Sequence, residues 1–266
     1  MDYLQTLVLA VVQGATEFIP VSSSGHLVLV REFLHWSDQG GVFMDTVLHA
    51  GSLMAILFYF RRDIRAAVHA VLHPSTAAHE RYYRLLPWWL VLATLPVVAA
   101  GPFIEPQMQY LRKGGTVGMV MMLTAVWFLL CEGRPRKQSR PLMFSIALIM
   151  GTAQVFALLP GASRSGVTIG AGILLGLPRQ EAARFSFFMA IPTIIGAAVL
   201  ESGHLFTAGA VPFSPGCILA GFFTCFAVSL LSIDFCMKMF RKRSLLSFAV
   251  YLAALGLLLV LIRFSA

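Results

Sequence analysis

Six stretches of this sequence are long and apolar enough to cross a bilayer as helices, and each carries at most one Asp, Glu, Lys or Arg. They run near Phe43–Phe60, Arg84–Phe103, Gly115–Cys131, Arg184–Leu200, Pro215–Met237 and Leu245–Ile262, where a hydrocarbon core calls for about 20 residues per helix. Such a pattern excludes a soluble single core. Hydrophobic residues make up 58% of the chain and charged ones only 12%, against roughly 25% charged in an ordinary globular domain. The chain reads as a single all-α, polytopic, integral membrane domain. Its net charge of +8 does not point to nucleic acid, because the basic residues sit in short clusters between apolar runs. Cys131, Cys217, Cys225 and Cys236 form no CxxC and no metal spacing, and read as small apolar helix residues. The N-terminal run has no basic region before it and no small-residue site after it, so a cleaved signal peptide is not expected.

Two further apolar regions are broken in the middle. Leu4–Trp36 is interrupted by Phe18-Ile-Pro-Val-Ser-Ser-Ser-Gly-His26, and Met143–Leu177 by Leu159-Pro-Gly-Ala-Ser-Arg-Ser-Gly166. Non-helical backbone at membrane depth is tolerated only inside protein or beside a water-filled cavity. Both regions therefore read as re-entrant helix–loop–helix hairpins, added to six transmembrane helices.

The loop charges agree. With that topology, Arg61, Arg62, Arg65, Arg81 and Arg84, then Arg134, Arg136, Lys137 and Arg140, then Arg179 and Arg184, then Lys238, Arg241, Lys242 and Arg243 fall on one side. By the positive-inside rule that side is cytoplasmic. Arg31, Arg112, Lys113 and Arg263 fall outside with both termini, and Arg164 lies within the membrane. If each hairpin were one full crossing, the first cluster would sit opposite the others.

An internal repeat follows. Gln13, Ser22, Ser24 and Gly25 match Gln154, Ser163, Ser165 and Gly166 at one offset of 141. Each half, about 1–132 and 140–266, then holds one hairpin and three spans. Three crossings is odd, so the halves form an inverted repeat, with both broken loops near the midplane.

Glu17 stands beside the first break, and a carboxylate inside a membrane marks a function by default. Arg164 is its obvious partner. Gln13 lies one helical turn before Glu17 on the same face. The second half-helices begin at Ser22–His26 and Ser163–Gly166, and helix N-termini present free N–H groups to anions. Two such ends with Arg164 between them make an oxyanion cradle, since Arg binds phosphate bidentately. His26 and Glu17 add an acid/base pair or part of a metal site. The combination suits a lipid phosphate.

Gln13-x-x-x-Glu17, Pro20-Val-Ser-Ser-Ser-Gly-His26 and Pro160-Gly-Ala-Ser-Arg-Ser-Gly-Val-Thr168 together closely resemble the undecaprenyl-diphosphate phosphatases, the bacitracin-resistance membrane proteins of bacteria. The resemblance runs over nearly the whole chain. It implies removal of the terminal phosphate from a C55 isoprenoid diphosphate, which regenerates the monophosphate carrier of peptidoglycan synthesis. It also implies the cytoplasmic (inner) membrane, a site facing its outer side, and a divalent cation, Mg²⁺ or Ca²⁺. By carry-over, Glu17, Ser23, His26 and Arg164 are the catalytic residues. Ser22, Ser24, Ser163, Ser165 and Thr168 bind phosphate, and Glu17 with Gln13 hold the metal. The family's acidic motif starts with Glu or Gln; Gln13 leaves one carboxylate fewer for a cation.

The expected mechanism has Arg164 and the half-helix ends hold the diphosphate while Ser23 attacks, or positions the attacking water. His26 is the base and later the acid, and Glu17 holds the cation or orients His26. The expected partners are the isoprenoid diphosphate, the bilayer and a second copy of the chain in a homodimer. A different class, a transporter or flippase for a polyprenyl phosphate, needs the same cradle without the Ser23 and His26 chemistry. Type-2 phosphatidic-acid phosphatases are excluded, since their second His would stand where this chain has Gly170, and no GxxxxGK[ST] supports nucleotide-driven transport. Asp45 and His49, one turn apart on the first span, are candidate neighbours of the site.

Overall fold

The computed structural model describes residues 2–36, 41–74, 77–111, 113–133, 139–208, 213–241 and 244–264. These form eleven helices and, among the described residues, no strand: α1 Tyr3–Thr16, α2 Ser23–Phe33, α3 Gly41–Tyr59, α4 Arg61–Leu72, α5 Ala78–Leu111, α6 Gly114–Glu132, α7 Phe144–Phe156, α8 Arg164–Leu174, α9 Arg179–Ala208, α10 Pro215–Met239 and α11 Leu246–Phe264. Arg112, Arg134, Arg136, Lys137, Lys242 and Arg243 lie outside the described residues.

Among the described residues, four helices are long and apolar enough to cross a membrane: Glu80–Ile104, Gly114–Glu132, Arg179–Leu200 and Pro215–Met239. A fifth candidate arises if Phe43–Tyr59 is joined to α4, from which it is bent by 69°. Leu246–Ile262 is a shorter apolar helix, as are Tyr3–Thr16 and Phe144–Phe156. The architecture is that of a polytopic helical membrane protein. The outer surface agrees, for large apolar side chains such as Phe103, Leu123, Leu231 and Val250 lie exposed, where lipid would cover them.

The stretch after α3 differs from the loop that its charges suggest. It forms α4, with Arg61, Arg62 and Arg65 in its first turns and Ala67 and Ala70 buried. Arg61, Arg62 and Arg65 stay exposed while Ala67 and Ala70 pack inward against the protein.

Polar contacts define the two ends of the bundle. At the end where α3 stops, Arg184 pairs with Asp63 and Tyr83 donates to Asp63 at 2.8 Å. There too Glu132 pairs with Arg179 and accepts from the Leu245 N–H at 2.8 Å, and Tyr59 donates to Asp234 at 3.3 Å. At the end where α3 starts, Arg31 pairs with Asp45 and Glu32 accepts from the Gly114 N–H at 3.1 Å. Helix starts and stops are thus tied together by charge at each face.

Between these ends, contact is close because the crossing residues are small. A Cβ on Gly118 of α6 would stand 2.6 Å from the Gly256 carbonyl of α11, and one on Gly256 would stand 2.5 Å from the Gly118 carbonyl. Helix α1 packs on α10, α7 on α5, and α3 on both α9 and α10. The buried core gathers around Phe18, Phe60, Phe187 and Phe188; Phe18 meets Phe187 edge-on at 5.2 Å. Phe18 lies inside the first break, so the core is built directly under it.

Gly118→Ala is expected to lower the thermal unfolding temperature in detergent, since overpacking costs about 1–3 kcal/mol. Gly101→Ala, where nothing lies within 4 Å of the new methyl, should leave it unchanged or raise it. Equal effects of the two substitutions would show that the α6–α11 approach does not limit stability.

Candidate functional site

Helix α1 ends at Thr16 and α2 begins at Ser23; α7 ends at Phe156 and α8 begins at Arg164. Each second half-helix is capped by a serine, the residue type whose hydroxyl accepts from the free N–H groups of a helix start. Ser22 Oγ accepts from the Gly25 N–H at 3.2 Å, and Ser163 Oγ accepts from the Gly166 N–H at 3.1 Å. The duplication goes further. Ser22 and Ser24 hydroxyls lie 3.4 Å apart and those of Ser163 and Ser165 lie 3.3 Å apart. The two breaks are not identical, because Ser22 takes φ 70° while Ser163 stays at φ −92°. A non-glycine residue in that region stores about 1–3 kcal/mol of strain, and here it sits next to Ser23.

The breaks touch. Gly161 N–H donates to Ser24 Oγ at 3.4 Å. Gly161 has φ +94°, and a Cβ there would stand 2.5 Å from the Val117 carbonyl. Both the conformation and the space require glycine.

Glu17 is the centre of the site and is buried. Its Oε1 accepts from Arg164 Nη2 at 2.7 Å. Its Oε2 accepts from Gln13 Nε2 at 2.8 Å and from Ser23 Oγ at 2.7 Å, and His49 Nε2 lies 3.7 Å away. Arg164 also donates to the Ser186 carbonyl at 3.2 Å. One carboxylate therefore gathers a cation, an amide, a hydroxyl and an imidazole from both hairpins and from α3.

The remaining candidates divide into two groups. Ser22, Ser163, Ser165 and Thr168 are buried. Thr168 is bonded within the protein, sharing a 2.7 Å hydrogen bond with Ser186 Oγ and donating to the Arg164 carbonyl at 2.8 Å. Ser24 is exposed and Ser23 and His26 are half-buried, so these three line the open side. His26 does not bond Ser23. Its Nδ1 lies 2.7 Å from the Ser22 carbonyl and its Nε2 lies 2.7 Å from Tyr251 Oη. Ser23 faces Glu17 instead.

The sequence left three neighbours without a role or only half-assigned. His49 was a candidate from its spacing with Asp45, whose carbonyl its Nδ1 meets at 2.7 Å; the Asp45 side chain turns to Arg31. Ser186 carries no signal within its apolar helix. Tyr251 is a tyrosine inside an apolar run, and nothing local marks it.

Among the described residues, no three His, Cys, Asp or Glu side chains cluster to hold a metal ion. Oxygen donors exist nonetheless. Gln13 spends its amide nitrogen on Glu17, and its Oε1 is buried with no hydrogen-bond partner. A carboxylate beside an unsatisfied amide oxygen fits a hard cation that takes its remaining ligands from water and phosphate.

The profile of a family described as "Bacitracin resistance protein BacA" matches residues 6–258. The chain is 38% identical over 263 residues to the "Undecaprenyl-diphosphatase" of Trichlorobacter lovleyi, covering 97% of this chain and 96% of that protein. It is 36% identical over 271 residues to the protein of the same name in Geotalea daltonii, covering all of both.

Arg164→Ala would leave the Glu17 carboxylate buried and uncompensated, and breaking such a pair costs about 3–5 kcal/mol. Thermal unfolding should show a large loss for Arg164→Ala and substantial recovery in the Glu17→Gln, Arg164→Gln double variant. A double variant as unstable as the single would mean that the ion pair is not what Arg164 stabilises.

Proposed function

We propose, from the premise that the chain belongs to the BacA bacitracin-resistance family, that it is a membrane phosphatase which converts undecaprenyl diphosphate to undecaprenyl phosphate and inorganic phosphate. That reaction recycles the lipid carrier of cell-wall synthesis and underlies bacitracin resistance. The observation that carries the reading is the 2.7 Å hydrogen bond from Ser23 Oγ to Glu17 Oε2, which couples a nucleophile to a base beside the only arginine of the two broken loops.

In the proposed first step, Arg164 and the N–H groups at the starts of α2 and α8 hold the diphosphate and offset charge on the phosphoryl oxygens. For that, Arg164 shifts part of its hydrogen bonding from Glu17 to phosphate. Ser23 Oγ attacks the terminal phosphorus and its proton passes to Glu17 Oε2. The bond from that phosphorus to the bridging oxygen breaks, and undecaprenyl phosphate leaves with the electron pair. In the second step water attacks the phosphoserine, His26 Nε2 takes the water's proton, and phosphate leaves as Ser23 recovers its proton from Glu17. Glu17, not His26, is the base at Ser23 in this reading, because geometry places the two in contact. Glu17 and Gln13 Oε1 would hold a Mg²⁺ or Ca²⁺ ion, which when bound supplies further charge neutralisation to the diphosphate.

The membrane arrangement belongs to the same proposal: six spans and two re-entrant hairpins in an inverted repeat, with halves at about 1–132 and 140–266. The matched serine caps at 22 and 163 support it, as does the exchange of partners in which α1 packs on α10 and α7 on α5. Arg61, Arg65, Arg179, Arg184, Lys238 and Arg241 gather at the end where α3 stops, which the positive-inside rule makes cytoplasmic. The open side at Ser24 and His26 then faces the outer surface of the bacterial inner membrane.

The test is phosphate release from undecaprenyl diphosphate by the purified protein in detergent. Wild type should release phosphate, with losses of about a hundred-fold or more in Ser23→Ala, Glu17→Gln and Arg164→Ala, and with loss on chelation if the cation takes part. Tight lipid binding without release would instead favour polyprenyl-phosphate transport. Covalent phosphate trapped on Ser23 during turnover distinguishes the two-step route from direct attack by water.

A further inference from the structure

Helix α11 packs against α6 and stands apart from both hairpins in the chain, yet it sends one polar side chain to the site. Tyr251 Oη lies 2.7 Å from His26 Nε2, and the two rings stack with centroids 5.7 Å apart and planes 6° from parallel. The other ring nitrogen settles the direction of that bond. His26 Nδ1 faces the Ser22 carbonyl, which only accepts, so Nδ1 carries the proton. In the neutral ring Nε2 then carries a lone pair and the Tyr251 hydroxyl donates to it.

Packing does not explain the hydroxyl. Tyr251 is 45% exposed on a helix whose exposed residues are mostly apolar, with Val250 beside it 70% exposed. A phenylalanine would stack on His26 equally well and would suit apolar surroundings better. What the hydroxyl adds is the hydrogen bond to Nε2.

We propose that Tyr251 is a positioning residue: it holds the His26 ring with Nε2 unprotonated and facing the open side of the cradle, ready to accept a proton. The inference rests on the reading of His26 as the base of the second step. In that step the attacking water takes the place of the Tyr251 hydroxyl at the Nε2 lone pair, and because the tautomer is already set no proton has to move around the ring first. The ring pair ties the C-terminal helix to the first break, so α11 contributes to the reaction through His26 without touching phosphate.

The experiment is a double-mutant cycle on the full chain in detergent, reading kcat and KM for phosphate release and the thermal unfolding temperature of each variant. Tyr251→Phe keeps the stack and removes only the hydroxyl. It should lower kcat about ten-fold, a fraction of the 10²–10⁴ that a positioned base contributes, with KM and unfolding temperature nearly unchanged. In a His26→Gln background the same substitution should cost nothing further, since the two act as one unit. Wild-type kcat in Tyr251→Phe, or a loss that multiplies with that of His26→Gln, overturns the positioning role. A loss accompanied by a lowered unfolding temperature overturns it too, by making Tyr251 a packing residue. Near-normal turnover by His26→Gln overturns the role of His26 itself and the inference with it, and is told apart from the other failures because the fault lies in the single His26 variant.

Discussion

A buried carboxylate facing a guanidinium between two broken helices is the constraint around which this bundle is arranged. Glu17 and Arg164 come from different hairpins and stand 147 positions apart in sequence, and neither charge could stay in apolar surroundings without the other. Their contact joins the two breaks, where α1 and α7 end and α2 and α8 begin. Gln13 and Ser23 complete the coordination of the carboxylate. The pair is not sealed away, since Ser23, Ser24 and His26 reach the open side. An ion pair with an exposed flank can exchange its partners for a phosphate anion, and one enclosed on all sides could not.

Breaking a helix inside a membrane exposes backbone donors and acceptors that lipid cannot satisfy. The chain answers with side chains one atom longer than alanine. Ser22 and Ser163 take up N–H groups at the second half-helices, Ser24 receives the Gly161 N–H across the interface, and Gly161 lets the loop pass against Val117. The same small polar residues that repair the backbone stand at the two helix starts to which the proposed function assigns phosphate. In the proposed function, structural repair and anion binding draw on one set of residues.

Much of this was legible in the sequence because apolar runs and their interruptions are local signals. The interruptions within Phe18–His26 and Leu159–Gly166 and the pairing of Glu17 with Arg164 follow from residue type and position; the serine caps at 22 and 163 appear only in the structure. Other features depend on how helices cross, and no local pattern encodes that. The His26 ring turns to Tyr251 because α11 happens to lie there, held by the Gly118–Gly256 approach, and Ser186 meets Arg164 and Thr168 because α9 passes behind α8. The form of the stretch after α3 was also beyond local reading: α4 folds away from α3 by 69°, and a charged stripe alone does not say whether such a stretch is a loop or a helix on the surface.

The cradle by itself does not separate moving a lipid phosphate from cutting it. Two half-helix ends and an arginine would serve either purpose, and a carrier gains nothing from a hydroxyl bonded to a buried carboxylate. Ser23 makes that bond at a residue whose predecessor is held at φ 70°, so the backbone is strained where the hydroxyl is delivered to Glu17. Strain persists only where surrounding contacts over-determine it, and here the Ser22 carbonyl is also what sets the proton on His26 Nδ1. One distorted residue thus orients both the hydroxyl on one side and the imidazole on the other. In the proposed reaction that one residue serves both steps, the hydroxyl in the first and the imidazole in the second.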